Sequence, residues 1–291
     1  MKILSLFDGI SCGKVALERA GIAVDRYVAY EIEPNAIKIS KKNYPQIEHC
    51  GDVTSADFSQ YFGFDLLIGG SPCQSLSITQ SKTRQHLDGK SKLFFEFVRA
   101  KEQMRPKYFL FENVASMNDE SKNIISDLLG CKPLFIDSAD FSAQTRPRLY
   151  WTNIPVVPYT KCPLVLSDVL QTDVDEKFFY NCDFDFHGEE NTVAATLHIN
   201  GHDILKRVNS KYRKCQTLTT CGGGNTQKKV YVDGRCRKLT PIEYERLQTL
   251  PDNYTECISN TARYTAIGNG WTVDVIAHIF KHIKEENNGS I

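Results

Sequence analysis

Residues 65–74 of the sequence read Asp65-Leu66-Leu67-Ile68-Gly69-Gly70-Ser71-Pro72-Cys73-Gln74. The apolar half of this stretch is typical of a buried parallel strand, and the glycines and the proline indicate a loop at the carboxyl end of that strand. In open α/β sheets, ligands bind at that edge. Pro72 restricts the backbone directly before Cys73, so we expect the thiol on a stiff turn. A structural core cysteine is the alternative, because free cysteines are often buried.

Apolar strands alternate with helical segments on both sides of this stretch. The sequence predicts strands at 2–7, 26–30, 47–50, 65–69, 108–111, 134–138 and 148–152, with helices at 14–20, 35–43 and 93–103. Such alternation is typical of βαβ units. It predicts a mostly parallel, Rossmann-like α/β sheet in a domain of residues 1–154.

The alternation stops after residue 154. Residues 155–260 carry several prolines, scattered aromatic residues and the run Gly222-Gly223-Gly224, so we expect a second, smaller and loop-rich domain there. An amphipathic helix is predicted at 271–284, within a C-terminal segment of residues 261–291 that returns to the first domain.

Composition sets limits on the class of protein. The 291 residues have a formal net charge of zero and no apolar run long enough for a transmembrane helix, and Asp8 interrupts the apolar start too early for a signal peptide. Ten cysteines without regular spacing favour neither a disulfide framework nor a zinc site, so we expect a reducing, intracellular compartment and no metal.

Charge is nevertheless unevenly distributed. Residues 206–246 hold eleven basic and three acidic residues, a local excess of +8 that suits a phosphate-bearing partner. A solvated loop region with the same bias is the alternative.

Small and acidic residues follow the first three predicted strands. Gly9 and Gly13 lie in the first turn, Glu31 ends the second strand where related folds bind ribose hydroxyls, and Asp52 follows the third strand, placed to accept from an adenine amino group. A Gly-x-Gly-x-x-Gly phosphate loop is missing, which favours a nucleoside cofactor without a pyrophosphate. Common glycine turns and surface acids remain the alternative.

Later strands carry further ionisable groups. Glu112 ends the aromatic strand Phe109–Phe111, whose burial predicts a raised pKa and a role as acid or hydrogen-bond donor, with a helix-capping or surface glutamate as the alternative. Arg146 and Arg148 present two guanidinium groups to one loop, suited to a phosphate or a carbonyl oxygen.

Together these motifs resemble those of a known family. Pro72-Cys73-Gln74, Glu112-Asn113-Val114, Gln144-x-Arg146-x-Arg148 and Gly268-Asn269-Gly270 occur in the order seen in DNA (cytosine-5) methyltransferases. The resemblance covers nearly the whole chain, and residues 64–78, 93–99 and 270–280 are similar to the catalytic domain of animal de novo DNA methyltransferases. Ser11 departs from the pattern, since many members have a second glycine there.

The resemblance implies an S-adenosylmethionine-dependent enzyme that methylates carbon 5 of cytosine in double-stranded DNA. Cys73 would add to carbon 6 of a flipped-out base, Glu112 would bind ring nitrogen 3 and the exocyclic amine, and Arg148 with Arg146 would orient the base and its phosphate. The expected cofactor contacts are Phe7, Asp8, Gly9, Gly13, Glu31, Ile32, Asp52, Val53, Pro72, Asn269 and Trp271. The expected substrate contacts are Ser71, Gln74, Asn113, Thr220, Asn225, Lys228, Lys229 and Arg237.

Three other functions stay open. A cytosine-5 methyltransferase of tRNA would share the catalytic motifs, but the span 160–240 is long for a minimal RNA enzyme and resembles a DNA target-recognition domain. A catalytically inactive DNA-binding regulator is disfavoured because Cys73 and Glu112 are both present. A dinucleotide-dependent dehydrogenase is disfavoured by the missing pyrophosphate loop. We expect a cytoplasmic protein if the source is bacterial or phage, with a restriction–modification role, and a nuclear one if it is eukaryotic.

Overall fold

The computed structural model describes residues 1–71, 93–221 and 224–283. Three of the predicted site residues, Pro72, Cys73 and Gln74, lie outside the described residues.

A seven-stranded sheet is built from the first half of the chain. Its strands are β1 (Lys2–Leu6), β2 (Arg26–Tyr30), β3 (Glu48–His49), β4 (Leu66–Gly69), β5 (Tyr108–Val114), β6 (Leu134–Asp137) and β7 (Pro147–Thr152). The order is β3-β2-β1-β4-β5-β7-β6, and all neighbours are parallel except the two pairs made by β7. The predicted mostly parallel α/β sheet is therefore confirmed.

The sheet places the opening stretch of the sequence at its centre. All four residues of β4 are buried, because helices cover both faces of a parallel sheet and leave no polar side for the strand. The strand order reverses between β1 and β4, and at such a switch point the carboxyl ends of the strands open into a crevice. The loops after β1 and β4 both start at this crevice.

Helices cover the sheet on its two faces. They are α1 (Cys12–Arg19), α2 (Pro34–Asn43), α3 (Phe94–Met104), α4 (Asp119–Leu129) and, near the end of the chain, α8 (Val273–Phe280). Helix α4 was not predicted from periodicity, although Asn118 caps its first turn by accepting from Ser121 N at 2.8 Å. Helix α8 is shorter than predicted and packs on α1 in one apolar cluster.

A second sheet lies in the region where the sequence showed no clear periodicity. Its strands are β8 (Phe184–Phe186), β9 (Val193–Leu197), β10 (Arg207–Ser210), β11 (Lys229–Val232) and β12 (Arg235–Lys238), in the order β12-β11-β10-β9-β8. The helices of this half are α5 (Asp203–Lys206), α6 (Pro241–Leu247) and α7 (Asn260–Asn269). The strands are short, and basic residues occupy interior positions of β11 and β12, which hides the usual apolar alternation.

The described residues contain neither a membrane-spanning helix nor a metal-binding cluster. In 1–71, 93–221 and 224–283, no helix is long and apolar enough to cross a membrane. The same ranges contain no group of three His, Cys, Asp or Glu side chains that suits a metal ion.

Candidate active site at the carboxyl ends of the central strands

The loop after β1 has an unusual backbone, held by a buried carboxylate. Phe7, Gly9 and Ser11 have φ angles of 57°, 58° and 60°, in the left-handed region. Asp8 accepts hydrogen bonds from Ser5 Oγ at 2.6 Å, Tyr27 OH at 2.7 Å and Ser11 Oγ at 2.5 Å. Burial raises the pKa of Asp8, and the three hydroxyl donors oppose that rise. The loop is therefore fixed from inside the protein.

Glu31 joins this loop to the end of β2. Its Oε2 accepts from Gly9 N at 2.8 Å, and its Oε1 accepts from the amides of Ile32 and Glu33, also at 2.8 Å. Ile32 beside it is 68% exposed. A carboxylate oxygen accepts more than one hydrogen bond, so Glu31 still has capacity for a hydroxyl of a ligand.

The end of β3 adds a third acidic group to the same edge. Asp52 is exposed, and hydrogen bonds from the amide and hydroxyl of Thr54, both to its Oδ1 at 2.8 Å, lower its pKa. Val53 beside it is buried. Because β1, β2 and β3 are adjacent and parallel, the loop after β1, Glu31 and Asp52 lie in sequence along one edge of the sheet.

Glu112 in β5 lies between a guanidinium and an indole. Its Oε1 is 2.8 Å from Arg148 Nε, and its Oε2 accepts from Trp271 Nε1 at 3.1 Å. The side chains of Glu112 and Arg148 are 13% and 14% exposed. A Cβ at Gly70 would lie 2.9 Å from Glu112 Oε2, so only glycine lets the loop after β4 approach this carboxylate so closely.

Two buried polar atoms, one in the residue after Gly70 and one in the residue after Glu112, have no partner among the described residues. They are Ser71 Oγ and Asn113 Nδ2, in side chains that are 5% and 2% exposed. Leaving such a group without a hydrogen bond costs about 1–3 kcal/mol. The ends of β4 and β5 thus combine a paired carboxylate with unused hydrogen-bonding capacity, as expected of a ligand site.

Arg146 is used differently from Arg148. Its side chain is buried, and its guanidinium donates to the carbonyls of Leu218 at 2.8 Å, Gly268 at 2.9 Å and Gly270 at 3.1 Å. These bonds hold the segment that carries Asn269, which is exposed at the end of α7, and Trp271. Among the described residues, Arg146 therefore stabilises the backbone of the segment that lies beside the site.

Gly13 packs beneath the site. A Cβ there would lie 2.5 Å from Ile68 Cδ1 and 3.1 Å from Tyr27 OH. The contact lets α1 lie close to β4, and a contact of Gly13 with the cofactor stays a prediction.

Comparison with known proteins assigns this architecture to a family. A family model for C-5 cytosine-specific DNA methylases matches residues 1–154 and 169–285. The chain belongs to this family. It is similar to the Type II methyltransferase M1.ScrFI of Lactococcus lactis subsp. cremoris, with 28% identity over 320 residues that cover 98% of this chain and 78% of the relative. It is also 34% identical to the orphan methyltransferase M.SPRI of Bacillus phage SPR over 166 residues, 53% of this chain and 38% of the relative.

Solved structures show the same fold at lower identity. The Entamoeba histolytica methyltransferase EhMeth superposes with a TM-score of 0.76 at 17% identity, covering 98% of this chain and 99% of that one. The S. pombe Dnmt2 methyltransferase gives a TM-score of 0.67 at 16% identity, covering 96% of each chain.

Two basic residues of this cytosine methylase are not where a DNA contact requires them. Lys229 is 1% exposed, and its ammonium donates to the carbonyls of Leu205 and Asn225, each at 2.7 Å, and of Gln227 at 3.0 Å. Burial lowers its pKa to about 8, so it is still charged at neutral pH, and its three protons match three acceptors. This corrects the expectation of a solvated, phosphate-neutralising lysine.

Arg237 is the second such correction. It is 2% exposed and bonds Glu243 through two parallel contacts of 2.8 Å and 2.7 Å. Glu243 is fully buried and also accepts from the amide of Thr240 at 2.7 Å. A guanidinium held in this way is part of the fold, and the local charge excess read from the sequence overstates the charge available to a partner.

A small cleft of the second region keeps groups that could meet a nucleic acid. It encloses about 70 Å³. Its lining includes Arg207, Gln216, Thr219, Gln227 and Lys228. Lys228 is half-buried, and burial together with the charge of Arg207 lowers its pKa. Gln227 Oε1 is buried without a partner among the described residues. Sequence reasoning missed Arg207 and Gln227, because nothing in their local pattern shows that they share a cleft.

The other predicted recognition residues lie close by in the sequence. Thr220 is exposed, and its backbone is held against α7, since a Cβ at Gly268 would lie 3.0 Å from Thr220 N. Asn225 accepts from Tyr180 OH at 3.2 Å, so its amide oxygen already has one partner.

Proposed function

We propose that this protein transfers the methyl group of S-adenosylmethionine to carbon 5 of cytosine in double-stranded DNA. Membership of the cytosine-specific methylase family supports the reaction class. The observation that carries the proposal is the position of Glu112, held by Arg148 and Trp271 directly beside the loop that leads into Pro72 and Cys73.

The edge formed by β1, β2 and β3 fits a nucleoside cofactor. Glu31 has capacity for ribose hydroxyls, Asp52 projects an exposed carboxylate suited to an amino group, and Val53 offers an apolar contact. S-adenosylmethionine supplies an electrophilic methyl group when bound there. The loop from Phe7 to Ser11 would hold its amino acid part, and Asn269 and Trp271 would close the site.

The proposed chemistry at the base runs through Cys73 and Glu112. Carbon 5 of cytosine is a poor nucleophile, and addition of the Cys73 thiolate to carbon 6 makes it electron-rich. Glu112 binds ring nitrogen 3 and the exocyclic amine, and Arg148 keeps its carboxylate in place. After methyl transfer, a base or water takes the proton from carbon 5, and the electron pair expels the thiolate from carbon 6.

The target cytosine has to leave the duplex to reach this edge. A base in a stacked helix does not expose carbon 6 to a thiol, so the mechanism includes flipping of the base into the site. The buried polar atoms Ser71 Oγ and Asn113 Nδ2 support a site that is completed only when a polar ligand arrives. Gln74 would contact the same base or its sugar.

Recognition of the surrounding DNA is proposed for residues 155–260, with residues 1–154 and 261–291 forming the catalytic domain. The cleft with Lys228, Arg207 and Gln227 supports this division, since cations suit phosphates and an amide suits a base edge. Thr220 and Asn225 lie beside this cleft in the sequence and remain our candidates for contacts that select the target cytosine.

A methyl-transfer assay tests the proposal. Wild-type protein, Glu112→Gln and the control Glu102→Gln, an exposed position on α3, are incubated with tritiated S-adenosylmethionine and either unmethylated random-sequence duplex DNA or tRNA. We expect 5-methylcytosine in DNA alone, at wild-type rate for Glu102→Gln and reduced about 10²–10³-fold for Glu112→Gln. Label only in tRNA, or an equal loss in both variants, would contradict the proposal.

A further inference from the structure

A line of buried hydrogen bonds links the loop after β1 to the edge of the sheet. Ser11 Oγ bonds Asp8 Oδ2 at 2.5 Å and Ser40 Oγ at 2.6 Å, and Ser40 Oγ bonds His49 Nε2 at 3.1 Å. Ser11 and Ser40 have no exposed surface. His49 lies in the edge strand β3 and is partly exposed. The line therefore connects a carboxylate in the interior with an imidazole near the surface.

Proton counting gives this line a direction. A carboxylate only accepts, so the single hydroxyl proton of Ser11 goes to Asp8. Ser11 Oγ cannot donate to Ser40 with the same proton, so we assign Ser40 as the donor to Ser11 Oγ and His49 Nε2 as the donor to Ser40 Oγ. With Asp8 as a carboxylate, this assignment puts the proton of the imidazole on Nε2.

The other nitrogen of the ring agrees with this tautomer. His49 Nδ1 is buried and has no partner in the part of the chain that the structure describes, which suits a nitrogen without a proton. Burial and the charge of Lys41 lower the pKa of His49, which favours the neutral ring. At the other end of the line, burial and the negative charge of Glu31 raise the pKa of Asp8, and the hydrogen bonds from Ser11, Ser5 and Tyr27 oppose that rise and favour the carboxylate.

Ser11 has a strained backbone conformation, and the hydrogen bonds of its hydroxyl offset that strain. Ser11 has a φ of 60°, a conformation that costs a non-glycine residue about 1–2 kcal/mol and that glycine adopts freely. A serine at this strained position gains two buried hydrogen bonds that a glycine lacks. The line of bonds thus offsets the strain of the loop.

We propose that Ser11, Ser40 and His49 are positioning residues for the S-adenosylmethionine site, because their directed relay holds Asp8 and, with it, the Phe7–Ser11 loop. This inference rests on the proposed function. The relay sets the geometry of the cofactor edge and takes no part in binding DNA.

A matched pair of amide variants tests the donor. The side-chain nitrogen of glutamine reaches the place of Nε2, whereas that of asparagine reaches only the place of Nδ1. In His49→Gln we expect the Kd for S-adenosylmethionine to stay within about twofold of wild type, and in His49→Asn to rise about 5- to 10-fold, as for one lost hydrogen bond. Affinity for duplex DNA without cofactor should be the same in all three proteins.

Nitrogen NMR of the imidazole supplies a readout that a purely structural role would not move. Wild type should show the Nε2-protonated tautomer, and Ser11→Gly, which relieves the strain but removes a hydroxyl two groups away, should shift the His49 signals. Equal Kd values for His49→Gln and His49→Asn, or unchanged His49 signals in Ser11→Gly, would overturn the relay. Wild-type protein that binds no S-adenosylmethionine at all would instead overturn the proposed function, whatever the His49 signals show.

Discussion

Two glutamates of this protein each pair with an arginine, in very different surroundings. Glu243 is fully buried, bonds Arg237 twice and also accepts from the amides of Thr240 and Gln171. Glu112 keeps some exposure, with one bond to Arg148 and one to Trp271, beside a loop whose Ser71 hydroxyl lacks a partner among the described residues. We call a charge saturated when its hydrogen bonds are all made within the protein, as in Glu243, and such a charge stabilises the fold. A charge that can still accept hydrogen bonds at the edge of the sheet, as in Glu112, is available to a ligand.

Neighbouring lysines repeat the contrast. The ammonium of Lys229 donates all three of its protons to backbone carbonyls, whereas Lys228 lines a cleft with Arg207. Both count equally in the charge excess of residues 206–246. Four sets of variants test the contrast between saturated and available charges.

The largest effect is expected at the buried pair. Glu243→Gln should lower the free energy of unfolding by about 3–5 kcal/mol, because it leaves the Arg237 charge buried and uncompensated. The control is Glu176→Gln, which breaks the exposed pair with Arg235 and should leave the urea midpoint unchanged. Similar urea midpoints for Glu243→Gln and Glu176→Gln would show that the buried pair stabilises the fold no more than the exposed pair does.

The second prediction uses pH. Lys229 has a pKa of about 8 when folded and 10.5 in its ordinary state, so the unfolded chain holds a proton that the folded chain releases between those values. Stability should therefore rise with pH across this window, by on the order of 2–3 kcal/mol, relative to Lys229→Met. The measurement is urea unfolding of both proteins at pH 7, 8, 9 and 10. A flat difference would place Lys229 in solvent, and a falling one would mean that folding raises its pKa.

The third prediction concerns the cofactor edge. Glu31→Ala should weaken binding of S-adenosylmethionine by about 1.5–3 kcal/mol, as loss of charge-assisted hydrogen bonds does, without changing DNA affinity. Glu33→Ala is the control, since Glu33 caps α2 through the amide of Ala36 at 2.7 Å. Calorimetry that finds a larger loss in Glu33→Ala would move the ribose contact to Glu33.

The smallest effect is expected in the salt dependence of DNA affinity, in which Lys228 and Lys229 should differ. Lys228→Ala should reduce the slope of log affinity against log salt by about one phosphate contact, whereas Lys229→Met should leave the slope unchanged. Fluorescence titrations of one duplex at four salt concentrations measure both. A reduced slope in Lys229→Met alone would reverse the assignment.

The fold was largely predictable from the sequence. Strands that are buried on both faces read as short apolar runs, and the glycines after β1 and β4 mark the loops where the site lies. The second sheet was not predictable in this way, because Lys229 and Arg237 occupy interior positions and break its apolar alternation. Tertiary bonds to carbonyls and to Glu243 make those positions possible, and no local pattern reveals such partners.

The candidate site combines residues that the sequence singles out with residues that it does not. Strand ends and motif order indicated Glu31, Glu112 and Arg148, whereas the relay through Ser40 and His49 joins residues of different elements and has no signature in one sequence. The hydrogen bonds from Arg146 to backbone carbonyls could not be predicted for the same reason.

In the proposed mechanism, Cys73 forms a bond to the target cytosine at the edge next to Glu112. Random-sequence duplex DNA containing 5-fluorocytosine tests it directly, because fluorine at carbon 5 cannot leave as a proton does and the adduct is trapped. With S-adenosylmethionine, wild type should give a protein–DNA complex that survives denaturing electrophoresis, and Cys73→Ser, which still binds the cofactor, should give none. Wild type that methylates ordinary DNA without forming this complex, or Cys73→Ser that forms it, would contradict a covalent bond through Cys73.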